Sequence, residues 1–150
     1  MLKRITSTCS IVSVLVFIGF AAFSDLSFGY TVKPTSDAEY AKTMKSKDGI
    51  FKVTYASDPE VIPVNKIISW KLKVETVDGQ PVKDAEITVN GEMPEHGHGL
   101  PTQPKVTKNF GDGTYLVEGI KFSMPGWWTM TFTIKAAGKT DNVVFNLQLK

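Results

Sequence analysis

The two histidines of this 150-residue chain stand two positions apart, in the segment Glu92-Met93-Pro94-Glu95-His96-Gly97-His98-Gly99-Leu100-Pro101. Pro94, Gly97, Gly99 and Pro101 forbid a helix there, so the segment must be extended or turning. In an extended segment residues i and i+2 point to the same side, which lets His96 and His98 converge on one point. Met93 supplies a thioether three residues before His96. Met124, in the chain break Met124-Pro125-Gly126, supplies a second. Imidazole with thioether is a donor set that suits copper, whereas thioether is a poor ligand for zinc or magnesium. If the two connections share one end of the fold, Met93, His96, His98 and Met124 form a metal site, with Glu92 and Glu95 free to tune it or orient an imidazole. The competing reading is a solvent-exposed polar turn, with the methionines as adaptable core filler.

Other chemistry finds little support. There is no Gly-x-Ser-x-Gly elbow, no phosphate-cradling Gly-rich loop and no Cys nucleophile. Glu95 adjoins His96 and would point away from it in an extended strand, so the pair of histidines lacks the third ligand and base of a hydrolytic zinc site. The chain reads as non-enzymatic. Lys and Arg number 17 against 15 Asp and Glu. The resulting charge of +2 is too small for a nucleic-acid footprint. One cysteine, Cys9, excludes an intramolecular disulfide and a thiolate cluster.

Strands must position these groups. A composition of 42% hydrophobic and 21% charged residues fits one globular domain. From Phe51 onward apolar and polar residues alternate with period two. The runs are Phe51–Tyr55, Ile68–Val74, Ala85–Val89, Val106–Phe110, Tyr115–Ile120, Trp128–Ile134 and Val143–Leu149, separated by turns such as Asp78-Gly79-Gln80-Pro81, Gly111-Asp112-Gly113 and Gly138-Lys139-Thr140-Asp141. Seven short strands without a convincing helix predict an all-β, seven-stranded immunoglobulin-like β-sandwich over residues 50–150. Trp127 and Trp128 are adjacent, so one faces in and one out. The outward one is a rim aromatic or, in a carbohydrate-binding reading, a stacking platform.

Residues 1–29 read as an export signal. Lys3 and Arg4 precede an apolar run from Ile11 to Phe23, short of the ~20 residues needed to span a bilayer, and Ser27-Phe28-Gly29 offers a cut after Gly29. The alternative is an uncleaved anchor over residues 11–28, which Asp25 opposes. Residues 30–49 are polar and read as a flexible leader, with room for a short edge strand at its start. The domain is thus expected in the periplasm or another extracytoplasmic space, membrane-associated only if the segment stays uncut.

Further motifs accompany the histidine loop: Trp70-Lys71-Leu72, Asp78-Gly79-Gln80-Pro81-Val82, Gly111-Asp112-Gly113-Thr114-Tyr115 and Phe122-Ser123-Met124-Pro125-Gly126-Trp127-Trp128. Together with Met93-Pro94-Glu95-His96-Gly97-His98-Gly99 they resemble the YtkA-like/FixH-like family of small exported bacterial domains, over roughly Phe51 to Leu149. The resemblance implies an immunoglobulin-like sandwich. Because FixH-type members are associated with assembly of copper-containing respiratory oxidases, it also implies a copper role for the four positions. FixH-type proteins keep a transmembrane anchor, whereas the signal here reads as cleavable.

Two functions follow as expectations. The first is a copper carrier, buffer or metallochaperone, with an envelope or membrane cuproprotein as the recipient partner. The second is a structural or interaction module of the bacterial envelope that binds no metal and uses the same loop to dock a protein.

Overall fold

The computed structural model describes residues 32–150. The export signal, its cut after Gly29, the anchor alternative and Cys9 lie outside the described residues. Among the described residues no helix is long and apolar enough to cross a membrane.

One four-residue 3₁₀ turn, Asp37–Tyr40, precedes nine strands: β1 (Thr43–Lys45), β2 (Phe51–Asp58), β3 (Ile67–Thr76), β4 (Glu86–Met93), β5 (His98–Gly99), β6 (Lys105–Asn109), β7 (Thr114–Lys121), β8 (Gly126–Ala136) and β9 (Lys139–Leu149). They form two antiparallel sheets, in the orders β1-β2-β3-β7-β6 and β5-β4-β8-β9. The all-β sandwich expected from the alternation is present, and its seven strands are β2, β3, β4, β6, β7, β8 and β9. The count of seven needs correcting to nine among the described residues. β1 has three residues and β5 two, too few to show a period in sequence, and both exist because a neighbouring strand offers them an edge to pair with. The pairing of Thr43 with Thr54 and of Lys45 with Lys52 carries the sheet into the leader segment.

β2, β3 and β9 largely bury alternate residues, and β8 does so from Met130 onward, after a stretch from Trp127 to Met130 that is buried on both faces. Tyr55, Leu72 and Tyr115 lie abreast across the first sheet, and Val89, Phe132 and Val143 across the second. Tyr55 stacks on Trp70 with ring centroids 4.1 Å apart, and Phe145 meets Tyr55 edge-on at 4.8 Å, which joins the sheets. The β8–β9 hairpin is tighter than expected. It turns on Ala137 and Gly138, both at positive φ, and the strand resumes at Lys139. A two-residue turn with both φ values positive matches the right-handed strand twist, which is why an alanine tolerates φ 49° there.

Two polar anchors tie irregular segments to this frame. Asp141 is 3% exposed and accepts backbone N–H groups from Asp48, Ile50 and Asn142, fixing the turn that leads into β2. Burial by itself pushes its carboxyl up. Hydrogen bonds from Ser46 and from the backbone of Asp48, Asn142 and Ile50 outweigh that and hold it below the usual range. Tyr115 donates its hydroxyl to the Val82 carbonyl at 2.7 Å and accepts the Ala85 N–H at 2.9 Å, pinning the crossover into β4. Residues 32–150 fall within one compact unit that holds the described strand pairings and core.

Candidate metal centre

The histidine loop is the connection between β4 and β5. Met93 ends β4, and its carbonyl accepts the N–H groups of both His96 (3.0 Å) and Gly97 (2.9 Å), closing a tight turn. Gly97 stands at φ 65°, a conformation that favours glycine, and reverses the chain. His98 and Gly99 then run back along β4, with Met93 opposite His98 and Glu92 opposite Gly99. Leu100 lies across Gly91, where an added Cβ would come within 2.7 Å of the leucine side chain, and its N–H bonds the Gly91 carbonyl at 3.1 Å. Thus Gly91 lets the loop fold flat onto β4.

Because directly opposed residues of an antiparallel pair share a face, the register puts the His98 and Met93 side chains on one side of β4–β5. That side is the interior: Met93 is 1% exposed. His98 sits half-buried at the mouth, and its ring meets the Trp128 indole edge-on at 5.4 Å. Its Nδ1 lies 3.1 Å from the Gly99 carbonyl, which leaves Nε2 as the nitrogen free to bind. Trp128 packs in turn on Phe122 and donates its indole N–H to the Met124 carbonyl at 3.0 Å. Met124 is half-buried against the core. Gly126, two residues on, is in contact range of Met93, since a Cβ there would land on Met93 Cε.

All four expected positions therefore occupy one end of the sandwich. Their arrangement differs from a simple extended clamp. The turn at Gly97 replaces the extended conformation, so His96 stands exposed at the tip while His98 points inward. The two imidazole centroids are 6.1 Å apart with the rings tilted by 46°. Glu92 and Glu95 do not orient the imidazoles. Glu92 accepts the Asn90 amide at 3.0 Å, and Glu95 pairs with Lys33 at 3.4 Å. Among the described residues no group of three or more His, Cys, Asp or Glu side chains is arranged to hold a metal ion.

Three participants escaped the sequence reading: Trp128 as the floor under His98, Gly126 as the seat of the Met93 methyl, and the Gly99 carbonyl as the brace on Nδ1. Gly126 left a trace, as the glycine of the Met124-Pro125-Gly126 chain break. Trp127, on the opposite face of β8, overturns the stacking-platform expectation. It is 2% exposed. Its indole N–H bonds Asn146 at 3.0 Å, and the Asn146 amide donates to the Glu39 carbonyl of the 3₁₀ turn. The leader thus lies against the outer face of β8–β9 and leaves no flat aromatic surface around Trp127.

Comparison with known proteins adds a family. Residues 43–133 match the YtkA-like family. A solved structure described as "ZirS C-terminal Domain" aligns over 96% of this chain and 97% of that one, at 16% identity and a TM-score of 0.40. No curated protein sequence matches the chain.

Proposed function

The chain belongs to the YtkA-like family, and from that premise we propose that it is a non-enzymatic, extracytoplasmic metal-binding domain whose cargo is copper. His98 and His96 would hold the ion through imidazole nitrogen, with Met93 from beneath and Met124 from the neighbouring connection supplying thioether. The observation that carries this reading is the opposition of Met93 and His98 across β4–β5 at a half-open mouth. It puts a shielded sulfur and an accessible imidazole on one face, with the exposed His96 ring 6.1 Å from that of His98. A donor set of two nitrogens and two thioethers selects a soft, monovalent ion and releases it readily to a recipient. That is the behaviour of a carrier, buffer or metallochaperone.

The second reading, an envelope interaction module, is favoured by one feature: Met93 and Met124 both pack against the hydrophobic core, as filler would. Titration separates the two. Residues 32–150 are titrated with Cu(I) anaerobically against a competing chelator, and with Cu(II) followed by electron paramagnetic resonance. His96→Ala/His98→Ala and Met93→Leu/Met124→Leu variants run alongside. One-to-one binding lost in the histidine variant, with Cu(I) preference lost in the methionine variant, supports the copper cargo. Weak binding that neither variant alters refutes it and leaves the interaction module.

A further inference from the structure

The outer face of the first sheet carries an unbalanced charge that the metal reading does not use. Strand register lays it out in five rows: Lys45, Lys52 and Glu75; Thr43, Thr54, Lys73 and Thr114; Ala56, Lys71, Leu116 and Lys108; Asp58, Ser69, Glu118 and Lys105; Ile67 and Lys121. These residues alternate with inward-facing ones, and Lys108, past the bulge in β6, is set on the same side by its pairing with Leu116, so all of them point away from the core. Seven lysines face outward there against three carboxylates. That excess is larger than the +2 of the whole chain, so the rest of the molecule is net acidic.

The carboxylates do not quench the lysines evenly. Glu75 is held between Lys52 at 3.0 Å and Lys73 at 2.9 Å. Glu118 accepts the Thr107 hydroxyl and shares a row with Asp58. Asp112, in the β6–β7 turn, is taken up by the Thr114 N–H. Among the described residues Lys45, Lys71, Lys105 and Lys108 form no ion pair. Phe110 lies at the rim, 43% exposed, with the Lys108 ammonium 4.6 Å from its ring centroid.

We propose that this face docks the protein on an anionic phospholipid surface. Strands spaced ~4.8 Å apart spread the lysines over a broad area. The Thr and Ala residues between them raise no ridge. Such a distribution meets a plane of phosphates better than it meets the compact carboxylate cluster of an acidic protein. Phe110 beside Lys108 adds an aromatic for the headgroup level, with the lysine stem lying along it. Each lysine near an anionic surface raises partitioning about fivefold. Salt screens the attraction over ~10 Å at 0.1 M.

The test is co-sedimentation of residues 32–150 with large vesicles of phosphatidylglycerol and phosphatidylcholine, against vesicles of phosphatidylcholine alone, at low and high salt. Lys45→Gln/Lys71→Gln/Lys108→Gln should lower partitioning to the anionic vesicles by roughly a hundredfold. Lys83→Gln/Lys139→Gln/Lys150→Gln, equal in net charge but off the face, should change it by less than about fivefold. Phe110→Trp should show a blue-shifted emission on binding. Equal binding to both vesicle types overturns the proposal, as does equal loss in the two triple variants. Binding to polyglutamate but not to anionic vesicles also overturns it and assigns the face to an acidic protein instead. Circular dichroism and thermal melting confirm that the exposed substitutions leave the fold intact. Because no metal residue is altered, the outcome is independent of copper binding.

Discussion

Replacing Gly126 by alanine tests whether β8 places the Met93 thioether. Gly126 opens β8 at φ 126°, in a region all but closed to residues with a Cβ, and the new methyl would land on Met93 Cε. Two costs add. The backbone strain is of order 1–3 kcal/mol. Met93, 1% exposed, must also leave its position in a filled interior, an overpacking cost of about 1–3 kcal/mol. Gly126→Ala is therefore expected to lose roughly 4 kcal/mol in urea unfolding of residues 32–150. Met93→Ala alone should cost about 2–5 kcal/mol through its cavity. Since the shorter side chain removes the clash, the double variant should be more stable than the sum of the single losses by about 1–3 kcal/mol. The same proteins then report on function. If the thioether binds cargo, Gly126→Ala should weaken Cu(I) affinity at least tenfold and leave Cu(II) binding at the imidazoles largely intact. A coupling below about 0.5 kcal/mol refutes the contact. A normal coupling with unchanged Cu(I) affinity refutes Met93 as a ligand and leaves it as core filler.

Other consequences can be checked alongside. Because the folded pKa of Asp141 is depressed, its contribution is present above the unfolded value of about 4 and is lost as pH falls through the folded one. Acid unfolding curves of wild type and Asp141→Asn should therefore converge below about pH 4, with the variant less stable at pH 7; parallel curves down to pH 2 would contradict the assignment. Tyr115→Phe removes the donor to Val82, which is buried, and the acceptor of Ala85, which is half-buried, and should cost about 1–3 kcal/mol in chemical denaturation. A loss under 0.5 kcal/mol would mean that these bonds contribute nothing net. Gly91→Ala drives a Cβ to within 2.6 Å of Met130 Sδ and 2.7 Å of Leu100, so amide exchange should rise across His96 to Leu100 before it rises elsewhere. If Cu(II) sits on His98, its 5.4 Å contact with Trp128 predicts strong fluorescence quenching that Trp128→Phe largely abolishes while Trp127→Phe does not.

The sandwich was legible because each long strand buries one face. β3 alternates Ile68, Trp70, Leu72 and Val74 with polar neighbours, and all four are core residues. What escaped depends on partners distant in sequence. β5 is strand only because β4 offers Glu92 and Met93 as pairing partners. Ala137 adopts a positive φ because the β8–β9 twist demands it, against the preference of alanine. Trp127 is covered because Asn146 couples it to Glu39, 107 positions from that asparagine, a link no local pattern encodes.

The candidate site shows the same division. Pro94, Gly97, Pro125 and Gly126 marked two chain breaks, which made it reasonable to expect Met93, His96, His98 and Met124 at one end. Spacing alone then favoured a symmetric i, i+2 pair of imidazoles. The turn closed by the Met93 carbonyl breaks that symmetry, because the chain reverses between the two histidines. Register, not spacing, decides which side chains meet: His98 faces Met93 and Trp128, and His96 is left at the tip. For a site that must take up and surrender a soft ion, the asymmetry has a physical use. A thioether gains most where water is excluded, and an imidazole at the mouth exchanges ligands fastest where water can reach. One strand pairing of two residues supplies both environments, and a one-residue slip of β5 would turn His98 to the opposite face. The shortest strand of the sandwich is therefore the element on which the whole candidate centre depends.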